Sequence, residues 1–133
     1  MSQTSPRSMG LAASMLGVWF ALALGAAGCR PEIGDGCKIS TDCSTAGDRL
    51  CDTSMPEGYC TIFACEADHC PGEASCIEFH PTSERFARRF CLRDCKQDSD
   101  CRSGYHCVPI PSQTYDAVYY DQGPKQTSAV CLP

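Results

Sequence analysis

The sequence has no asparagine, so it offers no acceptor for N-glycosylation. Lysine is scarce, with three residues against eight arginines. The 11 basic residues are outnumbered by 16 acidic ones, for a formal charge of -5. A nucleic-acid partner needs clustered cations to neutralise phosphates, and this balance excludes one. No Cys-x2-Cys pair occurs, which removes the commonest zinc-ligand spacing. Gly-x-Ser-x-Gly, His-Glu-x-x-His and the Cys-x-x-Cys redox motif are also absent. At 133 residues there is too little chain for a large catalytic core. The expectation is a protein that is not an enzyme and needs no cofactor or metal.

The N-terminal segment reads as an address. Arg7 is its one charged side chain, and no acid precedes Glu32. Leu11 to Gly28 is uncharged, with an apolar centre at Met15–Leu24, and it ends in Gly25-Ala26-Ala27-Gly28. A positive start, an apolar run and a small-residue end make a secretory signal peptide over residues 1–28. A run of this length could also nearly span a bilayer, but that reading leaves the small-residue end without a use.

Ala26-Ala27-Gly28-Cys29 resembles the lipobox of bacterial lipoproteins, although that family commonly has Leu where Ala26 stands. The resemblance implies cleavage before Cys29, a diacylglycerol on its thiol and an acylated amino terminus. Two or more acyl chains give stable anchoring, because each buried methylene contributes about 0.8 kcal/mol. The resemblance therefore implies a membrane partner, reached through lipid on Cys29. Arg30 stands where an Asp would favour the inner membrane, so the implied location is the envelope of a bacterium, at its outer membrane.

What the chain has in abundance is cysteine, 13 residues of 133. Setting Cys29 aside leaves twelve: Cys37, Cys43, Cys51, Cys60, Cys65, Cys70, Cys76, Cys91, Cys95, Cys101, Cys107 and Cys131. An even set in an exported chain reads as a disulfide framework. The gaps repeat as 5, 7, 8, then 4, 5, 14, then 5, 5, 23 residues, each set being two short gaps and a longer one. Cys37-Lys38 and Cys95-Lys96 open matching segments that end in Asp42-Cys43 and Asp100-Cys101. A glycine follows each second cysteine, at Gly47, Gly72 and Gly104. These features predict a lipidated cysteine and tether at 29–36 and three tandem modules at 37–60, 65–91 and 95–131.

Modules this small bury too little apolar surface to fold unaided, so disulfides must hold them. The expected fold is small, disulfide-rich and irregular, with short β-hairpins and no long helix in the mature part. The residues flanking each fourth cysteine, such as Tyr59-Cys60-Thr61 and Val130-Cys131-Leu132, suit short strands. Spacing does not select a pairing, since four cysteines allow three. The modules resemble Dickkopf-type and epidermal-growth-factor-like repeats, and the whole resembles Cys-rich lipoproteins of myxobacterial type. The epidermal-growth-factor resemblance implies overlapping bonds, first to third and second to fourth.

Few residues stand out beyond the framework. His69, His80 and His106 are scattered, and Asp94, Asp98 and Asp100 fit turn capping better than a calcium loop. Arg85, Phe86, Arg88 and Arg89 form the one basic cluster in an acidic chain. They are candidate partner contacts, with a strand burying Phe86 and Phe90 as the plainer alternative. Tyr115, Tyr119 and Tyr120 are candidate contacts or local core for the longest loop. The expected function is a membrane-anchored display of stapled modules that binds a protein or glycan or serves a structural role. The alternative is a protease inhibitor that presents the 108–130 loop.

Overall fold

The computed structural model describes residues 30–124 and 127–133. The signal segment 1–28 and the lipid site Cys29 lie outside the described residues. Among those described, no helix is long and apolar enough to cross a membrane.

The regular structure among the described residues is almost entirely short antiparallel strand. The strands are β1 (Leu50–Asp52), β2 (Tyr59–Thr61), β3 (Ala74–Phe79), β4 (Arg88–Cys95), β5 (His106–Pro109), β6 (Ala117–Tyr119) and β7 (Ala129–Leu132). Helical structure is limited to one turn, α1 (Ser40–Cys43), and a 3-10 turn at Asp98–Asp100. The twelve cysteines form six disulfides: Cys37–Cys51, Cys43–Cys60, Cys65–Cys76, Cys70–Cys91, Cys95–Cys107 and Cys101–Cys131. Each set of four is bonded first to third and second to fourth.

One plan underlies all three sets. The third and fourth cysteines stand opposite each other on paired strands, as Cys51 and Cys60, Cys76 and Cys91, and Cys107 and Cys131. The first and second cysteines come from the segment before the hairpin and bond down onto it. The last gap of each set is therefore the loop of its hairpin, which is why that gap alone is free to lengthen. The Asp before the second cysteine closes the leading turn twice. Asp42 Oδ2 accepts the backbone N–H of Lys38 at 2.8 Å and Ile39 at 3.1 Å. Asp100 Oδ2 accepts those of Lys96 at 2.8 Å and Gln97 at 3.2 Å. Asp68 of the middle set instead accepts the N–H of Gly123 at 2.9 Å, so there the acid ties down the longest loop.

Hydrogen bonding does not stop at the borders of the sets. β1 and β2 form their own two-stranded sheet, and the other five strands run in the order β5-β7-β4-β3-β6. β4 carries both Cys91 and Cys95, so it belongs to two sets at once. β6, from the longest loop, returns to pair with β3. The main core follows this sheet and contains Ile33, Tyr59, Ile77, Leu92, Val130 and Leu132, while the first set has a separate small core of cysteines. Gly58 is required where it stands: its φ is +67°, and a Cβ there would lie 2.0 Å from the Cys37 carbonyl oxygen.

Residues 30–36 are docked against the head. Ile33 is fully buried. Arg30 pairs with Asp48 at 2.7 Å, Glu32 pairs with Arg93 at 2.8 Å, and the Gly34 N–H donates to the Cys60 carbonyl at 2.9 Å. Burial of Ile33 and the pairing of Arg30 and Glu32 hold this segment to the rest of the head.

Candidate functional site

Strand alternation sorts the side chains of β4 between two faces. Arg88, Phe90 and Leu92 share one face with Phe79, Ile77 and Ser75, their register partners on β3. Phe90 is flanked in the plane of the sheet by Phe63 and Phe79, with ring centroids 5.4 and 5.8 Å away in edge-to-face contact. The three rings make a row across the sheet.

That face floors a cleft of about 300 Å³. Phe79, Phe90, Leu92 and Leu132 supply apolar wall from the sheet, and Met55 and Tyr59 supply it from the first hairpin. Tyr115 closes it from the longest loop, and Asp52, His80 and Arg88 stand at its rim. All three cysteine sets thus contribute, and the six disulfides hold the walls in place. A second depression of about 300 Å³ lies next to it, between Phe63, Ala64 and Ala87, and shares Arg88 and Phe90.

The hydroxyls of the cleft are already engaged. Tyr59 accepts the Arg93 N–H at 3.0 Å and faces the Cys131 carbonyl. Burial pushes the Tyr59 phenol up to about 12. Thr61 donates to the Cys91 carbonyl at 2.8 Å, and Tyr115 donates to the Pro133 oxygen at 2.5 Å. Ser54 donates to Asp52 at 2.6 Å. At the rim, His80 Nδ1 lies 2.9 Å from Asp116 Oδ2, and both residues have positive φ. The Ser54 hydroxyl is bonded to Asp52 and not to the imidazole.

Of the candidate contacts, Arg88 and Tyr115 reach the cleft. Arg85 and Phe86 lie just before β4, with Phe86 64% exposed, so the expected inward turn holds for the half-buried Phe90 and not for Phe86. Arg89 points to the opposite face, where its guanidinium lies 4.3 Å from the centre of the Tyr120 ring. Tyr119 packs beside the core and donates to the Thr127 carbonyl at 3.4 Å. In the sequence Tyr59 stands out only as a strand residue and His80 only as a scattered histidine, while Phe79 and Leu92 by themselves carry no signal of a site. The Arg88-Phe90-Leu92 alternation was the available signal, but its partner face comes from other sets.

Among the described residues, sulfur atoms of Cys37, Cys43 and Cys51 lie within 4.8 Å of one another, and two similar trios occur. All of them are in disulfides, which are not thiolate ligands. Asp98 accepts the Cys107 N–H at 2.7 Å and Asp94 the Ser75 hydroxyl at 2.7 Å, so these acids brace the chain. Compared with protein-family models, curated proteins and solved structures, the chain gives no significant match to any of them.

Proposed function

We propose that this protein is a non-enzymatic lipoprotein of a bacterial envelope, anchored at the outer membrane through lipid on Cys29. In this reading its stapled head binds a protein or a glycan. The observation that carries it is the cleft over Phe79 and Phe90, which leaves apolar wall open to solvent on a small acidic chain. The docked segment 30–36 agrees with it, since a head held this close to Cys29 would sit at the bilayer surface. The inhibitor alternative has less support. Within 108–130, β6 is paired in the sheet and Ile110 and Ala117 are buried, so much of the loop is structural.

Two variants test the two halves. Cys29→Ser should move the protein from the membrane to the soluble fraction, and unchanged membrane association ends the anchor. A photo-crosslinking residue placed at Arg88, on the cleft rim, should give a discrete adduct in intact cells. The same residue at exposed Ile39, away from the cleft, should give none. Identical patterns from the two positions remove the cleft from the function.

A further inference from the structure

The cleft itself discriminates between a protein and a glycan. A sugar brings a ring of hydroxyls, and each must find a partner when buried or leave a costly unsatisfied group. The hydroxyls of Tyr59, Thr61, Tyr115 and Ser54 are all bonded within the chain, three of them to backbone oxygens or N–H groups. The apolar wall is Met55, Phe79, Phe90, Leu92 and Leu132, which can satisfy no hydroxyl, and the side chains of Asp52, His80 and Arg88 stand at the rim. An apolar side chain loses nothing in such a place and gains burial.

Charge adds a second criterion. Arg30, Arg49 and Arg93 each pair with a carboxylate, at 2.7, 3.4 and 2.8 Å. Arg88 does not. Its Nη1 is turned back on the carbonyls of Ala87 at 2.9 Å and Arg85 at 3.4 Å, and it stands exposed where the two depressions meet. Arg85 beside it is exposed and has no carboxylate partner among the described residues either. In a chain with five more acids than bases, an unneutralised arginine pair beside an apolar cleft complements an outside carboxylate. The rim acids Asp52 and Asp116 are held by Ser54 and His80.

We infer that the cleft takes a protein segment, burying one aromatic or aliphatic side chain against Phe79, Phe90 and Leu92 while a neighbouring carboxylate pairs with Arg88. This rests on the binding reading above and narrows it to one ligand class.

The test uses the exported protein with its disulfides intact and follows the Leu92 and Leu132 methyl resonances. The probes are N-acetylphenylalanine, its neutral amide and a trimer of N-acetylglucosamine. The acid should shift both methyls saturably at about millimolar concentration, as expected for so small a ligand. The amide should bind about ten-fold more weakly for want of the charged pair. Arg88→Gln, at an exposed position, should bring the acid down to the level of the amide. The trisaccharide should leave both methyls in place. Equal binding of acid and amide removes the Arg88 contact and overturns the inference. Shifts with the trisaccharide also overturn it while leaving a binding cleft. If no probe moves the methyls at about 20 mM, inference and cleft reading fall together.

Discussion

Cys51 and Cys60 stand directly opposite each other across β1 and β2, yet neither bonds the other. Cys51 takes Cys37 and Cys60 takes Cys43, and the sulfurs of Cys37, Cys43 and Cys51 lie within 4.8 Å. The native pairing is thus surrounded by near alternatives. Removing Cys60 alone leaves the Cys43 thiol within 4.8 Å of both sulfurs of the Cys37–Cys51 bond, well placed to attack it through exchange. Cys60→Ser should therefore give a mixture of bonds on peptide mapping. The Cys43→Ser, Cys60→Ser double variant should keep Cys37–Cys51 intact. Its stability should fall by about 3 kcal/mol on denaturant unfolding, the value for a loop of this size. A single clean species from the lone Cys60→Ser variant would show that the Cys43 thiol is held out of reach.

The repeat was legible because cysteine spacing is a direct record of the hairpins. The third and fourth cysteines of each set sit in register, so two short gaps and one long gap translate into a lead-in and a hairpin loop. The overlapping bonds were reachable only through resemblance. Unreadable were contacts that depend on the longest loop folding back. β6 pairs with β3 some 40 residues upstream in sequence, as with Tyr119 and Ile77, and no local pattern announces it. The cleft was hidden for the same reason, since Tyr59, Phe79 and Tyr115 come from three different sets. Arg88 and Tyr115 were visible as types of residue suited to an interface, but not as neighbours of one cavity.

Arg102 joins the third set to the first. Its Nη2 donates to the Pro56 carbonyl at 2.9 Å and to the Gly58 carbonyl, and its guanidinium lies 4.2 Å from the centre of the Tyr105 ring. The Tyr105 hydroxyl adds a bond to Pro56 at 2.8 Å. Arg102→Met keeps the bulk and removes the donors, so it should lower stability by about 2 kcal/mol. The loss should be local in hydrogen exchange. The Gly58 and Cys37 amides, bonded to Met55 and Glu57, should exchange faster while those of β3 and β4 hold. Unchanged exchange at Gly58 would mean that the disulfides alone fix this loop.

Acid should loosen the leading turns. Backbone N–H groups, foremost those of Lys38 and Lys96, hold the Asp42 and Asp100 carboxyls below the ordinary 3.8. A depressed carboxyl contributes its stability above the unfolded value and loses it as pH falls through the folded one. The melting temperature should thus stay level down to about pH 4 and decline below it, with a smaller decline in Asp42→Ala, Asp100→Ala. At the other extreme, burial pushes Tyr59 and Tyr119 up to about 12. Their contribution is complete below the unfolded value near 10 and is lost as pH rises from there towards 12. Phenolate absorbance should therefore show Tyr59 and Tyr119 ionising only as the pH nears 12. Ionisation of either near pH 10 would contradict its burial.

Ile33 decides how the head is carried. It is fully buried in the main core, and its N–H donates to Glu73 Oε1 at 3.2 Å, so a residue four positions after Cys29 is fixed to the second cysteine set. A side chain in such a place contributes to global stability in the way a core strand residue does. Ile33→Ala should cost about 3 kcal/mol by denaturant unfolding, within the range for buried Ile truncation. A mere tether residue would cost nothing. The same burial limits slack, because the chain from Cys29 to Ile33 spans at most about 14 Å when fully extended. A lipid on Cys29 would thus hold the Arg30–Asp48 side of the head at the membrane surface. In nanodiscs containing a paramagnetic lipid, the Ala46 and Asp48 amides should broaden more than those of the rest of the head. A flexible Gly-Ser insertion between Cys29 and Arg30 should even out the broadening without changing the melting temperature. Even broadening in the natural protein would show that the head turns freely despite its docked N-terminal segment.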